Sequence, residues 1–165
     1  MSQVFVALGS NVDPTTRMRQ AARALKETFG DARFSRCYAN PAYGFEGEAF
    51  INAVAGFHTS LTIAELLRAL RGIEGRCGRG AADPKWGPRA MDLDLLLYDA
   101  VVGSGPGYTL PRPDLLKRVY MLGPLAQLAP DYLYPPAGPT IAQLWEQFPR
   151  AQHTLLPVEL DLNAA

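Results

Sequence analysis

The sequence predicts an α+β fold, a β-α-β-β-α-β core followed by a Pro-rich extension of short helices. Three observations predict it. An apolar run opens the chain at residues 4–8, Val-Phe-Val-Ala-Leu. Two amphipathic helical patterns then alternate with strand-like runs as far as residue 98. Beyond that point nine prolines crowd residues 106–149, a density that permits only short helices.

Each element has its own local reason. Residues 4–8 read as a buried strand closed by a turn at Gly9-Ser10-Asn11. Asp13 is expected to cap a helix that has Pro14 at its first position. Met18, Ala21, Ala22, Leu25 and Phe29 give that helix one apolar face, and Gly30 stops it. Residues 33–39 read as a strand. A loop with Pro41, Gly44 and Gly47 follows, then a longer strand at 50–57. Thr62 and Glu65 form a capping-box pattern. It opens a second helix with Ile63, Leu66, Leu67, Leu70 and Ile73 on one face. A Gly-, Arg- and Pro-rich stretch covers residues 75–89. A strand at 91–98 follows, with Leu93, Leu95 and Leu97 expected on one side. This order is the split-βαβ, or ferredoxin-like, arrangement, with helices expected on one face of the sheet. Gly103 to Gly107 read as a turn. Short helices are expected at 114–118, at 121–128 and after Thr140. This last third is expected to wrap the core, and residues 161–165 to be disordered. Length favours one domain over residues 1–165.

Composition narrows the function classes. Lys plus Arg and Asp plus Glu are both 16, a formal net charge of zero, which argues against a protein that coats nucleic acid or an anionic membrane. No apolar run reaches the roughly 18–20 residues of a membrane span. The start of the chain shows no charged region followed by an apolar one, so a cytoplasmic location is expected. Cys37 and Cys77 lack a metal-binding spacing and are expected to be idle thiols. His58 and His153 have no partner in the pattern.

Chemistry concentrates at residues 68–96. Asp92 and Asp94 lie two apart on a strand, so both carboxylates leave one face, roughly 7 Å apart at the backbone. Two readings stand: a solvated strand end, or a pair that holds hard divalent cations. The stretch before it carries Arg68, Arg71, Arg76, Arg79, Lys85 and Arg89 against Glu74 and Asp83. Such a basic, Gly-rich segment beside a cation-binding pair suits a magnesium-bound polyphosphate. No P-loop, nucleophile elbow or HExxH motif is present.

The run Lys-Trp-Gly-Pro-Arg-Ala-Met-Asp-Leu-Asp-Leu-Leu at 85–96 closely resembles the signature of the 6-hydroxymethyl-7,8-dihydropterin pyrophosphokinase family. The resemblance extends in order to Ala7-Leu8-Gly9-Ser10-Asn11, Asn40-Pro41, Phe50-Ile51-Asn52-Ala53, Glu74 with Gly78-Arg79, Leu110-Pro111, and 118–125. It implies a ferredoxin-like fold and Mg-dependent transfer of pyrophosphate from ATP to the pterin hydroxymethyl group, releasing AMP. Under it, Asp92 and Asp94 would hold two Mg ions, and Arg79 and Arg89 would sit on phosphate oxygens. Trp86 would close over both substrates. Phe50 and Tyr120 would sandwich the pterin, and Asn52 with groups near Asn40, Pro41 and Tyr43 would read its edge. Glu74, Leu95, Thr109 and Arg118 would line the nucleotide side.

Three positions depart from the family pattern. Arg112 stands where His is common, Ala81 where a second loop Arg is frequent, and Gly107 where some members carry a basic residue. These fall on the ATP grip. They motivate an alternative, a divergent member that binds a pterin-like ligand with weak or altered transfer. A ferredoxin-like RNA-binding module is a third class. It would need exposed sheet aromatics in a basic surface, and the sequence lacks an RNP1-like run. The expected partners are therefore ATP and the pterin only, with no nucleic acid and no membrane, and the chain is expected to be a monomer.

Overall fold

The apolar run at 4–8 becomes the centre of an antiparallel sheet because both of its faces are buried. The computed structural model describes residues 1–40, 49–78, 90–149 and 155–165. Its elements are β1 (Ser2–Ser10), α1 (Pro14–Phe29), β2 (Arg33–Phe34), β3 (Cys37–Asn40), β4 (Phe50–Thr59), α2 (Ile63–Arg76) and β5 (Asp92–Tyr98). They continue with β6 (Gly103–Gly105), β7 (Tyr108–Leu110), α3 (Val119–Leu128), α4 (Ile141–Gln147) and β8 (Leu156–Val158). Among the described residues six strands form the main sheet in the order β5-β1-β4-β3-β8, with β2 also paired to β4. β6 and β7 make a separate hairpin around Pro106-Gly107. Among the described residues no helix is long and apolar enough to cross a membrane.

Helices cover both faces of the sheet, not the one face expected. Val4, Val6 and Leu8 of β1 pack with Met18, Ala21, Ala22 and Leu25 of α1 and with Leu66 and Leu70 of α2. Phe5 and Ala7 pack instead with Val119, Leu122 and Leu125 of α3 and Ile141 of α4. The period of two along a strand splits one apolar run between two cores. The Pro-rich third of the chain builds the second layer.

Local signals fared differently. Thr62 Oγ1 accepts from Glu65 N–H, and Glu65 Oε1 accepts from Thr62 N–H, so the expected capping box is present. Thr140 and Gln143 make a second one on α4. Gly30 ends α1 at φ 68°, where a side chain would be strained. Asp13 does precede α1, but at φ 47° its carboxylate makes no capping bond. Asp tolerates this left-handed conformation. The strand expected at 33–39 is broken in two. Ser35 Oγ accepts from Val54 N–H at the break, in place of a ladder carbonyl. Where a turn is expected at Gly9-Ser10-Asn11, Gly9 and Ser10 instead end β1, with Gly9 paired on both sides and Ser10 with β4. The helix expected at 114–118 is a single 3-10 turn, Pro113–Leu116.

Two further expectations are overturned. Leu97 does not share a face with Leu93 and Leu95. Val6 pairs with Leu95 but Phe5 pairs with Leu97, so a β-bulge at Leu96 turns Leu97 into the α3/α4 core. The residues after 161 are ordered. Leu162 is buried, Asn163 exchanges side-chain hydrogen bonds with the Phe34 N–H and C=O, and Lys26 Nζ donates to the carbonyls of Asn163 and Ala165.

Candidate active site

The strand registers assemble the site. Gly9 pairs with Asp92 on one side and with Asn52 on the other, and Asn52 pairs with Tyr38. Asp92, Gly9, Asn52 and Tyr38 thus form one row across four strands. Asp94 lies beside Ala7, and Phe50 beside Asn40. Ala7 and Val54 belong to the α3/α4 core, and side chains alternate. Asp92, Asp94, Asn52, Phe50 and Asn40 therefore share that face, at the end of the sheet.

Gly9 opens this row. A Cβ there would stand 2.9 Å from Asn52 Oδ1, closer than atoms pack. With strands about 4.8 Å apart, the missing side chain leaves a notch between the carboxylates and the amides. Asn52 and Asn40 are buried, and the Asn52 amide donates to Asn40 Oδ1. That contact fixes which edge of each amide faces inward.

The carboxylate end is electrostatically loaded. Burial, and then the charge of Asp92, push the Asp94 carboxyl up to about 7, against the pull of Arg112 and Arg71. Arg112 Nη2 stands 3.4 Å from Asp94 Oδ1, with Nε 4.0 Å from Asp114 Oδ2. Tyr120, on the first turn of α3, is half-buried. Burial raises its phenol, Arg118 opposes, and Asp114, Asp94 and Asp92 add to the rise. Its ring therefore lies within the field of the pair.

Paired acids repelling one another in a partly buried site fit a divalent cation, which removes the cost of ionising both. Among the described residues no cluster of three or more His, Cys, Asp or Glu could hold a metal alone. A cation on Asp92 and Asp94 would take its other ligands from water and a bound phosphate, as magnesium commonly does.

The nucleotide-side candidates are dispersed. Leu95 is buried on the α1/α2 face, Thr109 is exposed on β7 with Oγ1 3.0 Å from Ser104 Oγ, and Arg118 is exposed. Glu74 is buried, bonded to Arg71 and to the Leu93 N–H. Arg79, Arg89, Trp86, Pro41 and Tyr43 lie outside the described residues. Gly9 reads in the sequence as a turn residue and Arg71 as one of a basic stretch, neither as a site residue. The Arg71/Glu74 spacing of three, which brings helical side chains together, is the signal that could have found Arg71. A separate cavity of about 370 Å³ is lined by Tyr38, Val119, Gly123, Ala126, Gln127, Trp145 and Leu155, none of them a candidate residue.

An antiparallel sheet between helical layers, with an acidic pair at one side of a notch and an aromatic ring and two amides at the other, defines a site for a cation and a flat polar ligand. The family model described as 7,8-dihydro-6-hydroxymethylpterin-pyrophosphokinase matches residues 5–130, and the chain belongs to that family. A Synechocystis protein named 2-amino-4-hydroxy-6-hydroxymethyldihydropteridine pyrophosphokinase is 37% identical over 145 residues, covering 86% of this chain and 74% of the relative. An Aquifex aeolicus protein of the same name is 36% identical over 137 residues, covering 82% and 85%. Among solved structures, Plasmodium falciparum HPPK-DHPS with pteroate is similar with a TM-score of 0.71 at 11% identity. The match covers 97% of this chain but 47% of that one. An HPPK-DHPS in complex with substrates matches with a TM-score of 0.65, over 91% of this chain and 44% of that one. The chain thus spans less than half the length of these structures, and the likeness is one of fold.

Proposed function

We propose that this chain transfers the β,γ-diphosphate of ATP to the hydroxymethyl group of 6-hydroxymethyl-7,8-dihydropterin, releasing AMP, in folate biosynthesis. The observation that carries the reading is the shared face. In a member of the pyrophosphokinase family, Asp92 and Asp94 stand one glycine away from Asn52 and Phe50. The order β5-β1-β4-β3 supports a ferredoxin-like core, with β2 and β3 as one interrupted strand. Packing of both early and late helices on one sheet supports a single domain over residues 1–165.

In this reading Asp92 and Asp94 hold two Mg ions, the number fitting two carboxylates that face a polyphosphate. When bound, the metal supplies charge neutralisation for the phosphoryl oxygens and for the attacking hydroxyl. Phe50 and Tyr120 present the aromatic faces for the pterin, and Asn52 and Asn40 bond its edge, joined by Pro41 and Tyr43. Arg79 and Arg89 oppose the charge that develops during transfer. Trp86 excludes water from both substrates. Glu74, Leu95, Thr109, Arg112 and Arg118 serve ATP. The enzyme works as a cytoplasmic monomer on small molecules. Incubation with ATP, Mg and the pterin, followed by mass spectrometry, tests the reading. AMP and pterin diphosphate are expected, and absence of both sinks it.

The Arg112–Asp94 contact favours a second reading, a divergent member that binds a pterin-like ligand with weak transfer. There a guanidinium already neutralises one metal carboxylate. Calorimetric pterin binding without turnover at saturating ATP would select it.

A further inference from the structure

We propose that Arg71 and Glu74 of α2 are positioning residues that clamp the backbone of Leu93 and so set the geometry of the Asp92/Asp94 pair. Leu93 N–H donates to Glu74 Oε2 at 2.7 Å. Arg71 Nη2 donates to Leu93 O at 2.5 Å, and Arg71 Nη1 stands 2.8 Å from Glu74 Oε1. One ion pair therefore engages both backbone groups of a single residue, as a neighbouring strand would. Among the described residues β5 is the last strand on its side of the sheet, paired only with β1. Alternation along an antiparallel pair turns the backbone groups of every second residue away from the partner. Those of an edge strand are left to water or to side chains.

The residue so held stands between the two carboxylates. Its φ and ψ decide how Asp92 and Asp94 diverge, and an edge strand gripped from one side only twists more easily. Glu74 is 3% exposed, and burying a carboxylate is costly unless it is paired and bonded. Bonding the strand supplies that partner. α2 packs on the face opposite the carboxylates, so the clamp reaches the pair through the Leu93 backbone at the strand edge, and the charges of Arg71 and Glu74 are also felt at Asp94. For Glu74 this is a role beyond lining the nucleotide side. The inference deepens the pyrophosphokinase reading and rests on it for the meaning of the pair.

The test uses the full chain with Arg71→Ala, Arg71→Lys, Glu74→Ala and Glu74→Gln. Amide exchange of Leu93 is followed by NMR, Mn²⁺ binding in the presence of a non-hydrolysable ATP analogue by calorimetry, and turnover with the pterin by steady-state kinetics. Arg71→Ala is expected to speed Leu93 exchange by at least about tenfold and to weaken Mn²⁺ binding by about 10- to 100-fold, the range for groups that orient metal ligands. The kcat should fall with it while the KM for pterin stays within about twofold. Glu74→Gln, which still accepts from Leu93, should recover part of what Glu74→Ala loses. If Glu74→Ala fails to fold, Arg71→Ala and Arg71→Lys still decide. Unchanged Leu93 exchange and Mn²⁺ affinity in folded Arg71→Ala would overturn the clamp. An inactive wild-type chain would overturn the pyrophosphokinase reading instead, leaving exchange and Mn²⁺ binding to judge the clamp.

Discussion

The two faces of the sheet are made by the same strands and do opposite work. Under α1 and α2, Val4, Val6, Leu8, Ala53, Ala55, Leu93 and Leu95 form an unbroken apolar layer. On the other face, Phe5, Val54 and Leu97 are apolar under α3 and α4. Toward the far end of β1 that face turns polar, with Asp92, Asp94, Asn52 and Asn40. Asp92 and Leu93 are neighbours in sequence, yet one belongs to the site and the other to the core. The lesson is that a strand with one dry face is anchored well enough to carry unfavourable groups on the other. Burial of Leu93 and Leu95 offsets the cost of keeping Asp92 and Asp94 side by side.

Substitutions on the two faces should separate activity from stability. Asp94→Ala or Asp92→Ala is expected to reduce Mg-dependent AMP release to background while leaving the melting temperature unchanged or higher, because a like-charge contact disappears. Mass spectrometry and thermal unfolding read the two effects, and a collapsed fold would contradict the division. Leu70→Ala, on the dry face, should do the reverse. It removes a fully buried side chain and is expected to cost about 2–5 kcal/mol in urea unfolding, with near-normal turnover in the protein that remains folded. A drop in kcat at unchanged stability would mean that the faces are not independent.

Smaller changes sharpen the boundary between them. Gly9→Ala would place a methyl 2.9 Å from Asn52 Oδ1. It should raise the KM for pterin about tenfold with little loss of Mn²⁺ binding, since the carboxylates lie on the other side of the notch. Equal losses of both would show that the notch is shared. The smallest effect is expected far from the site. There Asp31 Oδ2 lies 2.8 Å from His58 Nδ1, and hydrogen bonds from His58 hold the Asp31 carboxyl below its ordinary 3.8. A depressed carboxylate stabilises the fold above its unfolded-state value, and that contribution disappears as the pH falls through the lower folded value. Asp31→Asn should therefore lower the melting temperature slightly near neutral pH and make no difference in strong acid. The pair is exposed, so the shift should be about a degree or two. A larger one would mean that the surface pair carries more than solvent-screened charge allows.

Much of this was legible in the residues because it follows from local periodicity. The run at 4–8 announced a buried strand, though not that helices would cover both of its faces. Thr62 and Glu65 announced their own capping bonds. The two-residue spacing of Asp92 and Asp94 put them on one face before any fold was known. The bulge that turns Leu97 was not legible, since it depends on how β1 and β5 are matched. Order at Leu162 and Asn163 depends on Phe34 and Lys26, more than a hundred residues away in the chain.

By itself, then, the sequence determined the four helices and the central strands, the dry faces of α1 and α2, the acidic pair and the resemblance to a pyrophosphokinase family. These rest on interactions within a few residues, which spacing and residue type control. Only the tertiary structure decided that helices cover both faces, that Gly9 separates Asp92 from Asn52, that Arg112 reaches Asp94, and that Arg71 and Glu74 hold Leu93. Each of these is a contact between segments distant in the chain. Its existence depends on strand register and helix placement, which emerge when the whole set of apolar faces is buried together.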